Sequence, residues 1–366
     1  MRAHHLSRRR LIELGGAAVI ASTSGCTGIA NPDDITNDDE PAEAEPEGLP
    51  AAESPEIDSI AADPTDIPDP IDRDEPVHHE WDITTEEYVI EIEPGVTHHM
   101  MTFEGQVPGP LFRARVGDRV TLTLEVPEDL NTDVHNIDFH AVYGPGGGAV
   151  DTTVLPGEEP AEIEFTLQYP GAHIYHCAPG AHDHHISTGM FGTILVEPED
   201  GLPEVDREFY LGQHELYTDG EAGEEGHHAW NNESSAAEDP TYVLFNGEPG
   251  RFTDGGEHGP LHAETGETVR IFWCNGGPNL VSGPHPIGNV WSRWYDYGDV
   301  RSPPNEYVEG AALPAGVTGI GEMELPVPGP IHLVDHALSR VVHKGLLATI
   351  EVEGEEDPDI FNPDPN

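Results

Sequence analysis

Basic side chains are scarce in this sequence of 366 residues, in which 15 lysines and arginines stand against 70 aspartates and glutamates. The formal net charge is −55, and Lys344 is the one lysine. So negative a surface repels polyanions, which excludes nonspecific binding to nucleic acid or to an anionic membrane surface. Cysteine is scarce too. The three cysteines, Cys26, Cys177 and Cys274, are too few for a disulfide framework.

The carboxylates also run through the segments that we expect to fold, and this excess needs a physical explanation. At about 1 M salt the Debye length falls to roughly 3 Å, so a dense carboxylate surface stays hydrated without repelling itself. We therefore predict a salt-loving, haloarchaeal-like source and a reversible loss of stability at low salt. Hydrophobic residues make up 36% of the chain, which is enough to build cores and excludes global disorder.

The first 26 residues have the organisation of an export signal. Arginines at positions 8–10 precede a short apolar run over 14–21 and small residues before Cys26. The run is too short to span a bilayer stably, and the paired arginines resemble a twin-arginine signal, which exports folded proteins. The small residues before Cys26 resemble a lipobox. We predict a lipoprotein anchored through Cys26 on the outer face of the cell membrane, or otherwise an extracytoplasmic protein.

Acidic segments flank the region expected to fold. Residues 27–76 are acidic and rich in proline, which predicts a disordered tether, and residues 354–366 form a similar acidic tail. A third acidic stretch, residues 218–239, is predicted to be a surface loop.

The region between tether and tail contains an internal repeat. The matching segments, in the same order, are 116–122 with 265–271, 135–137 with 285–287, 170–177 with 328–337, and 192–197 with 348–352. Short alternating strands with Gly/Pro turns and little helical periodicity predict a β-sandwich in each copy. We therefore expect an all-β protein with two tandem β-sandwich domains, residues 77–198 and 199–353.

The strongest chemical signal is the spacing of Cys177, His185 and Met190, with His135 upstream. Two imidazoles and a thiolate with a weak axial thioether are the ligand set of a blue, or type 1, copper. Taken singly, Cys177 is a buried thiol and Met190 is core filler. Taken together, the four residues predict a copper centre that exchanges one electron.

Strand geometry predicts a second set of ligands beside the first. His176 and Cys177 are adjacent, so their side chains point to opposite faces of a strand. His135 and His140 are five residues apart and also oppose each other in an extended segment. We therefore expect an outward pair, His140 and His176, joined to the inner site by one dipeptide.

The second repeat keeps only part of this pattern. His336 stands in the place of His176, and Ala337 replaces Cys177, so this copy has lost the blue site and kept the outward histidine. An open catalytic metal site needs a third ligand, and the repeat points to His336. Cys274 lies on an apolar strand and is predicted to be a core thiol.

At these motifs the sequence resembles the copper-containing nitrite reductases, a family of two cupredoxin domains. The resemblance covers roughly residues 80–353 and rests on H-N-I-D-F-H, H-C-A-P, H-I-S-T-G-M, G-G-P-N-L-V-S-G-P-H-P-I-G and L-V-D-H-A. It implies two tandem cupredoxin-like Greek-key β-sandwich domains and one type 1 and one type 2 copper per subunit. It also implies a homotrimer with each type 2 copper at a subunit interface.

The resemblance assigns roles to individual residues. The implied type 1 copper ligands are His135, Cys177, His185 and Met190. The implied type 2 copper ligands are His140, His176 and, from a neighbouring subunit, His336. The remaining matches are the proton-handling residues Asp138 and His285, and Ile287, the apolar side chain at the open coordination position.

The implied reaction is the dissimilatory one-electron reduction of nitrite to nitric oxide, as in denitrification. A small blue-copper protein of the halocyanin or azurin kind, or a cytochrome, is the implied electron donor. The loop from Cys177 to His185 departs from the family because it is one residue shorter than in some members and carries histidines in place of apolar residues. We predict that these and the other paired histidines are solvated loop residues; they are His78, His79, His98, His99, His182, His184, His227 and His228.

Three alternatives remain open. A multicopper oxidase needs histidines on both sides of its cysteine, whereas Ala178 follows Cys177; about two coppers per chain, against about four, distinguishes the two enzymes. A membrane-tethered blue-copper electron carrier would leave the outward pair and the whole second repeat without a role. A three-histidine zinc hydrolase would explain the outward site but not its direct link to a redox copper.

Overall fold

The computed structural model describes residues 48–363 and 365, and the structural statements below concern that part of the chain. Within it, strands predominate and the α-helices are short. None of its helices is long and apolar enough to cross a membrane. The predicted export signal and the first part of the predicted tether, residues 1–47, lie outside the described residues. Residues 354–363 of the predicted tail are mostly exposed.

The first β-sandwich is built from two sheets. Its strands are β1 (His78–Glu93), β2 (Val96–Phe103), β3 (Phe112–Arg115), β4 (Arg119–Glu125), β5 (Asp138–Phe139), β6 (Ala161–Thr166), β7 (Gly171–His176) and β8 (Phe191–Glu197). One sheet has the order β2-β1-β4-β6 and the other β3-β8-β7-β5. Alternation along β4 buries Val120, Leu122 and Leu124 in the core between the sheets, as the sequence pattern predicts.

The second β-sandwich repeats this plan. Its strands are β9 (Arg207–Leu216), β11 (Tyr242–Phe245), β12 (Leu261–Glu264), β13 (Thr268–Gly277), β14 (Pro284–Ile287), β15 (Trp291–Tyr295), β16 (Asn305–Val308), β17 (Val317–Glu324), β18 (Gly329–Asp335) and β19 (Ala348–Glu353). The sheets have the orders β11-β9-β13-β17-β15-β16 and β12-β19-β18-β14. Three buried tryptophans, Trp273, Trp291 and Trp294, fill the core. The all-β prediction of two tandem sandwiches is confirmed.

The sequence repeat coincides with equivalent strands in the two sandwiches. In the first, β5 and β7 pair antiparallel and place Asp138 opposite His176. In the second, β14 and β18 pair antiparallel and place His285 opposite Val334. The histidine-bearing strands of both copies therefore have the same position in their sheets.

The stretch at 218–239, expected to be a surface loop, joins the first sandwich. Within it, β10 (Gly226–His228) pairs in parallel with β2, and α2 (Asn232–Ala236) follows. The backbone N–H of His227 donates to the carbonyl of Pro50. The loop prediction was wrong for β10 and α2. It missed β10 because acidic composition says nothing about the edge of β2, whose unpaired backbone groups accept another strand.

The second half of the predicted tether, residues 48–76, packs on the folded body. Val107 N–H donates to the Ile60 carbonyl at 2.8 Å, and Tyr210 N–H donates to the Pro64 carbonyl at 2.9 Å. Ile60 is 1% exposed. The prediction of disorder was wrong for residues 48–76. A few buried apolar side chains are enough to order this segment, because its backbone forms hydrogen bonds with both sandwiches.

Candidate metal centres

A buried cluster of possible metal ligands lies inside the first sandwich. His135, Cys177 and His185 place their ligand atoms within 4.8 Å of one another, and Cys177 Sγ lies 3.7 Å from His135 Nδ1. His135 and Cys177 are fully buried, and His185 is 4% exposed. Met190, the predicted axial residue, is also fully buried. The structure thus brings together the three predicted inner nitrogen and sulfur donors.

Backbone hydrogen bonds within the segment after β7 connect these residues. This segment contains α1 (His182–Ser187). Cys177 N–H donates to the Met190 carbonyl and Met190 N–H to the His185 carbonyl, each at 3.0 Å. Gly189, at φ +122°, makes the turn before Met190, and a Cβ there would lie 2.4 Å from a Val107 methyl. The inner donors are therefore held by the backbone as well as by packing.

The chemistry of the inner cluster fits a soft cation. Burial raises the pKa of the Cys177 thiol far above its ordinary value, while Asn136 N–H donates to its sulfur at 3.4 Å. Burial lowers the pKa of His185 to about 4, and its Nδ1 has no hydrogen-bond partner. A metal ion would replace the thiol proton and satisfy the orphaned nitrogen.

Glu87 of β1 belongs to this cluster and was missed by sequence reasoning. Its Oε1 lies 2.9 Å from His135 Nε2, and Thr132 Oγ1 donates to Oε2 at 2.6 Å. Burial opposes ionisation, but hydrogen bonds from His135, His99 and Thr132 hold the pKa of Glu87 far below its usual range. The sequence feature that could have identified it is a glutamate on the inward-facing side of β1, two residues after the buried Thr85.

A second cluster lies on the outer face of the same sheet. Asp138, His140 and His176 have ligand atoms within 4.8 Å of one another, and the two histidine Nε2 atoms are 3.1 Å apart. His176 Nδ1 donates to the Cys177 carbonyl at 3.0 Å, which leaves its Nε2 free. Burial lowers the pKa of both His140 and His176. Two neutral rings with converging Nε2 atoms fit a shared cation.

The predicted third outer ligand lies elsewhere in the chain. The His336 ring packs against that of His285, with centroids 5.1 Å apart and planes at 74°. Both line a cleft of about 480 Å³, and His285 Nδ1 donates to the Glu309 carbonyl. Ile287, at the end of β14, is 40% exposed. Within the described part of one chain, His336 does not join the cluster around Asp138.

Asp335 hydrogen-bonds to the backbone beside each histidine of this pair. It is 1% exposed. Its Oδ1 accepts hydrogen bonds from the backbone N–H groups of Gly283 and Ala337, both at 3.0 Å, and its Oδ2 pairs with Arg340. The sequence motif contains Asp335 but gives it no role, because nothing in the sequence shows that Gly283, 52 residues away, or Arg340 on α3 (Ser339–Lys344) contacts it.

The expectation that the paired histidines are solvated loop residues was wrong for their loop position and only partly right for their solvation, since His78 and His182 are exposed. All of them lie on strands or on α1, and two are buried: His98 is 1% and His228 0% exposed. His98 Nδ1 donates to the His228 carbonyl at 2.7 Å, and burial lowers the pKa of His98 to about 3. His184 of α1 packs on Trp230, with ring centroids 4.6 Å apart. The pairing of β10 with β2 buries these rings, which sequence periodicity could not foresee.

Comparisons with known proteins agree on a copper protein fold. A family model described as "multicopper oxidase" matches residues 84–201. A copper-containing nitrite reductase of Neisseria meningitidis serogroup B is 41% identical over 313 residues, covering 85% of this chain and 78% of that protein. The structure of a copper nitrite reductase from Nitrosomonas europaea is similar with a TM-score of 0.67 and 30% identity, over 77% of this chain and 96% of that one.

A crystal structure of a multicopper oxidase is also similar, with a TM-score of 0.63 and 28% identity, over 75% of this chain and 89% of that one. The multicopper oxidase model matches the first sandwich, whereas the Neisseria relative matches a stretch long enough to include both. The prediction of the family from the histidine and cysteine motifs is confirmed. The chain belongs to the copper-containing nitrite reductases.

Proposed function

We propose that the protein reduces nitrite to nitric oxide in a one-electron reaction, with a type 1 copper at the inner cluster and a type 2 copper at the outer one. The observation that carries this proposal is the placement of His176 and Cys177, adjacent in sequence, in two clusters on opposite faces of one sheet. Copper, when bound, would supply a one-electron couple at the inner cluster and a Lewis-acidic redox centre at the outer one.

The inner ligands of this proposal are His135, Cys177, His185 and Met190. These four residues exclude water from the inner site, because each of them is at most 4% exposed. The backbone ties among them hold the donors in place, so little rearrangement would accompany electron exchange. This is the behaviour expected of an electron-transfer site and not of a site that binds substrate.

The outer ligands are His140, His176 and, from a neighbouring copy in a homotrimer, His336. Exposure supports this, because His140 and His336 both face solvent in the single chain. Apolar side chains near His336 and His285 in sequence are exposed as well: Val281 is 54%, Leu338 46% and Val342 70% exposed. Exposed apolar groups of this kind are typical of a subunit contact.

Two residues would handle protons. Nitrite, two protons and one electron give nitric oxide and water, so one N–O bond breaks and its oxygen leaves as water. The Asp138 carboxylate lies beside His140 and His176 and would hold a proton next to the nitrite oxygen. His285 donates through Nδ1 to a carbonyl, so its Nε2 would first take up a proton and then deliver it as the second one. Ile287 would limit the room beside the bound anion.

A multicopper oxidase is the second candidate, because that name describes the matching family model. Ala178 follows Cys177, so the chain lacks the histidine that a trinuclear copper site would take from that position. The described residues contain two clusters with three or more possible ligands, which matches two coppers per chain. A blue-copper electron carrier would leave the outer cluster without a role.

We also propose that the protein leaves the cytoplasm by the twin-arginine route and is anchored through Cys26. A halocyanin- or azurin-like blue-copper protein or a cytochrome would then supply electrons outside the cell membrane. These proposals rest on the sequence of residues 1–26 and on the resemblance that the cysteine and histidine motifs carry.

Metal analysis with visible and EPR spectra, recorded at high salt with and without nitrite, tests the proposed function. We expect two coppers per chain, one blue signal that nitrite leaves unchanged, and one non-blue signal that nitrite shifts. Anaerobic turnover should release one nitric oxide per nitrite consumed. One copper per chain, four coppers per chain, or another product would each contradict the proposal.

A further inference from the structure

Glu87 is a buried carboxylate with an unusual set of partners for a chain so rich in acids. Its side chain is 2% exposed. The ion pairs that the described residues form with it come from His135 and His99, and none comes from lysine or arginine. A buried carboxylate without a permanent cation is costly unless hydrogen bonds and a nearby positive charge compensate it.

Hydrogen bonds reach both carboxylate oxygens. Oε1 accepts from Asp133 N–H at 3.0 Å and lies 2.9 Å from His135 Nε2. Oε2 accepts from Thr132 Oγ1 at 2.6 Å and lies 3.3 Å from His99 Nε2. An ionised carboxylate can only accept hydrogen bonds, so this arrangement requires His135 to carry its proton on Nε2.

The first consequence concerns the tautomer of His135. With the proton on Nε2, the lone pair of Nδ1 faces Cys177 Sγ, 3.7 Å away. A carboxylate that accepts from the far nitrogen of a ligating imidazole fixes the ring orientation and raises the basicity of the ligating nitrogen.

The second consequence concerns charge. A copper held by one thiolate and neutral donors carries one more positive charge when oxidised than when reduced. A buried carboxylate near it favours the oxidised state, and burial protects this interaction from the salt screening that weakens exposed pairs.

We propose that Glu87 is a positioning residue of the inner site, which fixes the His135 tautomer and lowers the reduction potential of the copper bound there. The inference rests on the proposed type 1 copper at this cluster. It concerns neither the outer cluster nor the product of the reaction.

Glu87→Gln tests this inference, because glutamine keeps the shape and an oxygen acceptor for His135 while removing the charge. We expect the blue band to persist and its midpoint potential, from a redox titration without nitrite, to rise above that of the unaltered protein. Glu80→Gln is the matched control, since Glu80 is exposed on the same strand, and it should leave the potential unchanged. Equal potentials in the two variants would overturn the inference.

Glu87→Asp keeps the test decisive if the glutamine variant does not fold. Aspartate retains the charge but is too short to hold His135, so we expect weaker copper retention and altered copper hyperfine splitting in EPR. A spectrum and copper affinity like those of the unaltered protein would contradict a positioning role. Absence of a blue band in the unaltered protein would instead refute the proposed type 1 copper, so the two failures are distinguishable.

Discussion

The inner and outer clusters of the first sandwich share one strand but differ in burial and completeness. The inner donors His135, Cys177 and His185 are buried and meet within a single chain. The outer donors His140 and His176 face outward, and within the described part of the chain no third histidine joins them. A closed site can hold an electron with little rearrangement, whereas an open one can admit an anion. In the proposed function, this difference would separate electron storage at the inner cluster from substrate binding at the outer one.

The two sandwiches also differ in the possible metal ligands that they contain. Cys177 of the first copy has Ala337 as its counterpart in the second, so the second copy cannot form an inner site. It keeps His336 and has His285 at the position equivalent to His135. Asp335 hydrogen-bonds to the backbone beside both histidines of this copy. The first copy thus carries the whole inner cluster and two histidines of the outer one, and the second copy presents a histidine pair on its surface.

The largest effect should follow Cys177→Ser, because serine cannot supply a thiolate to the inner site. We expect complete loss of the blue band and of nitrite reduction driven by a protein donor. The outer cluster should keep its copper, since His140 and His176 do not depend on the sulfur. Visible and EPR spectra with copper analysis check this, and a surviving blue band would contradict it.

His336→Ala should reverse that pattern. The inner copper and the blue colour should remain, and the outer copper and nitrite turnover should be lost. His343→Ala is a suitable control, because His343 is also an exposed histidine on the adjacent helix α3 (Ser339–Lys344). If His336→Ala retained two coppers and full turnover, the assignment of the third outer ligand would be wrong.

Asp138→Asn should lower turnover while both coppers remain. Loss of a positioned proton donor costs about 10²–10⁴-fold in rate. Asparagine preserves the size of the side chain but cannot release a proton, so one limb of the pH–rate profile should disappear. Steady-state rates across pH measure this, and an unchanged profile would show that Asp138 is only a surface carboxylate.

Low salt should affect the outer site before the inner one. With a net charge of −55, copies of the chain repel one another as the Debye length grows, and the outer site depends on their contact. We expect dialysis to remove the outer copper and the trimer first, then the blue site as the fold loosens, with recovery when salt returns. Full copper content and stability in dilute buffer would refute the predicted salt dependence.

The smallest effect should follow Asp335→Asn. Asparagine keeps one acceptor for the Gly283 and Ala337 amides but loses the charge that pairs with Arg340, at a cost of about 1–3 kcal/mol. We expect partial loss of outer copper and an unchanged blue band. Glu355→Gln, in the exposed tail, is the control for the loss of a charge alone. Equal outer copper content in the two variants would contradict the role given to Asp335.

Much of this arrangement could be predicted because strand parity is local. The opposite directions of His176 and Cys177 follow from adjacency alone, and the alternation along β4 follows from period two. Glu87 and Asp335 could not be given roles, since Glu87 meets a loop more than 40 residues away and Asp335 meets Gly283, 52 residues away, and sequence periodicity does not place these contacts. The packing of residues 48–76 was missed for the same reason: composition describes a segment but not the surface it meets.

A mixture of two variants tests most directly whether the outer site is completed by a second copy. His176→Ala and His336→Ala should each lack outer copper and turnover when produced alone. Co-produced in equal amounts, they should regain both at roughly a quarter of interfaces, where an intact His176 meets an intact His336 of the next copy. No recovery of outer copper or turnover in the mixed assembly would contradict the account.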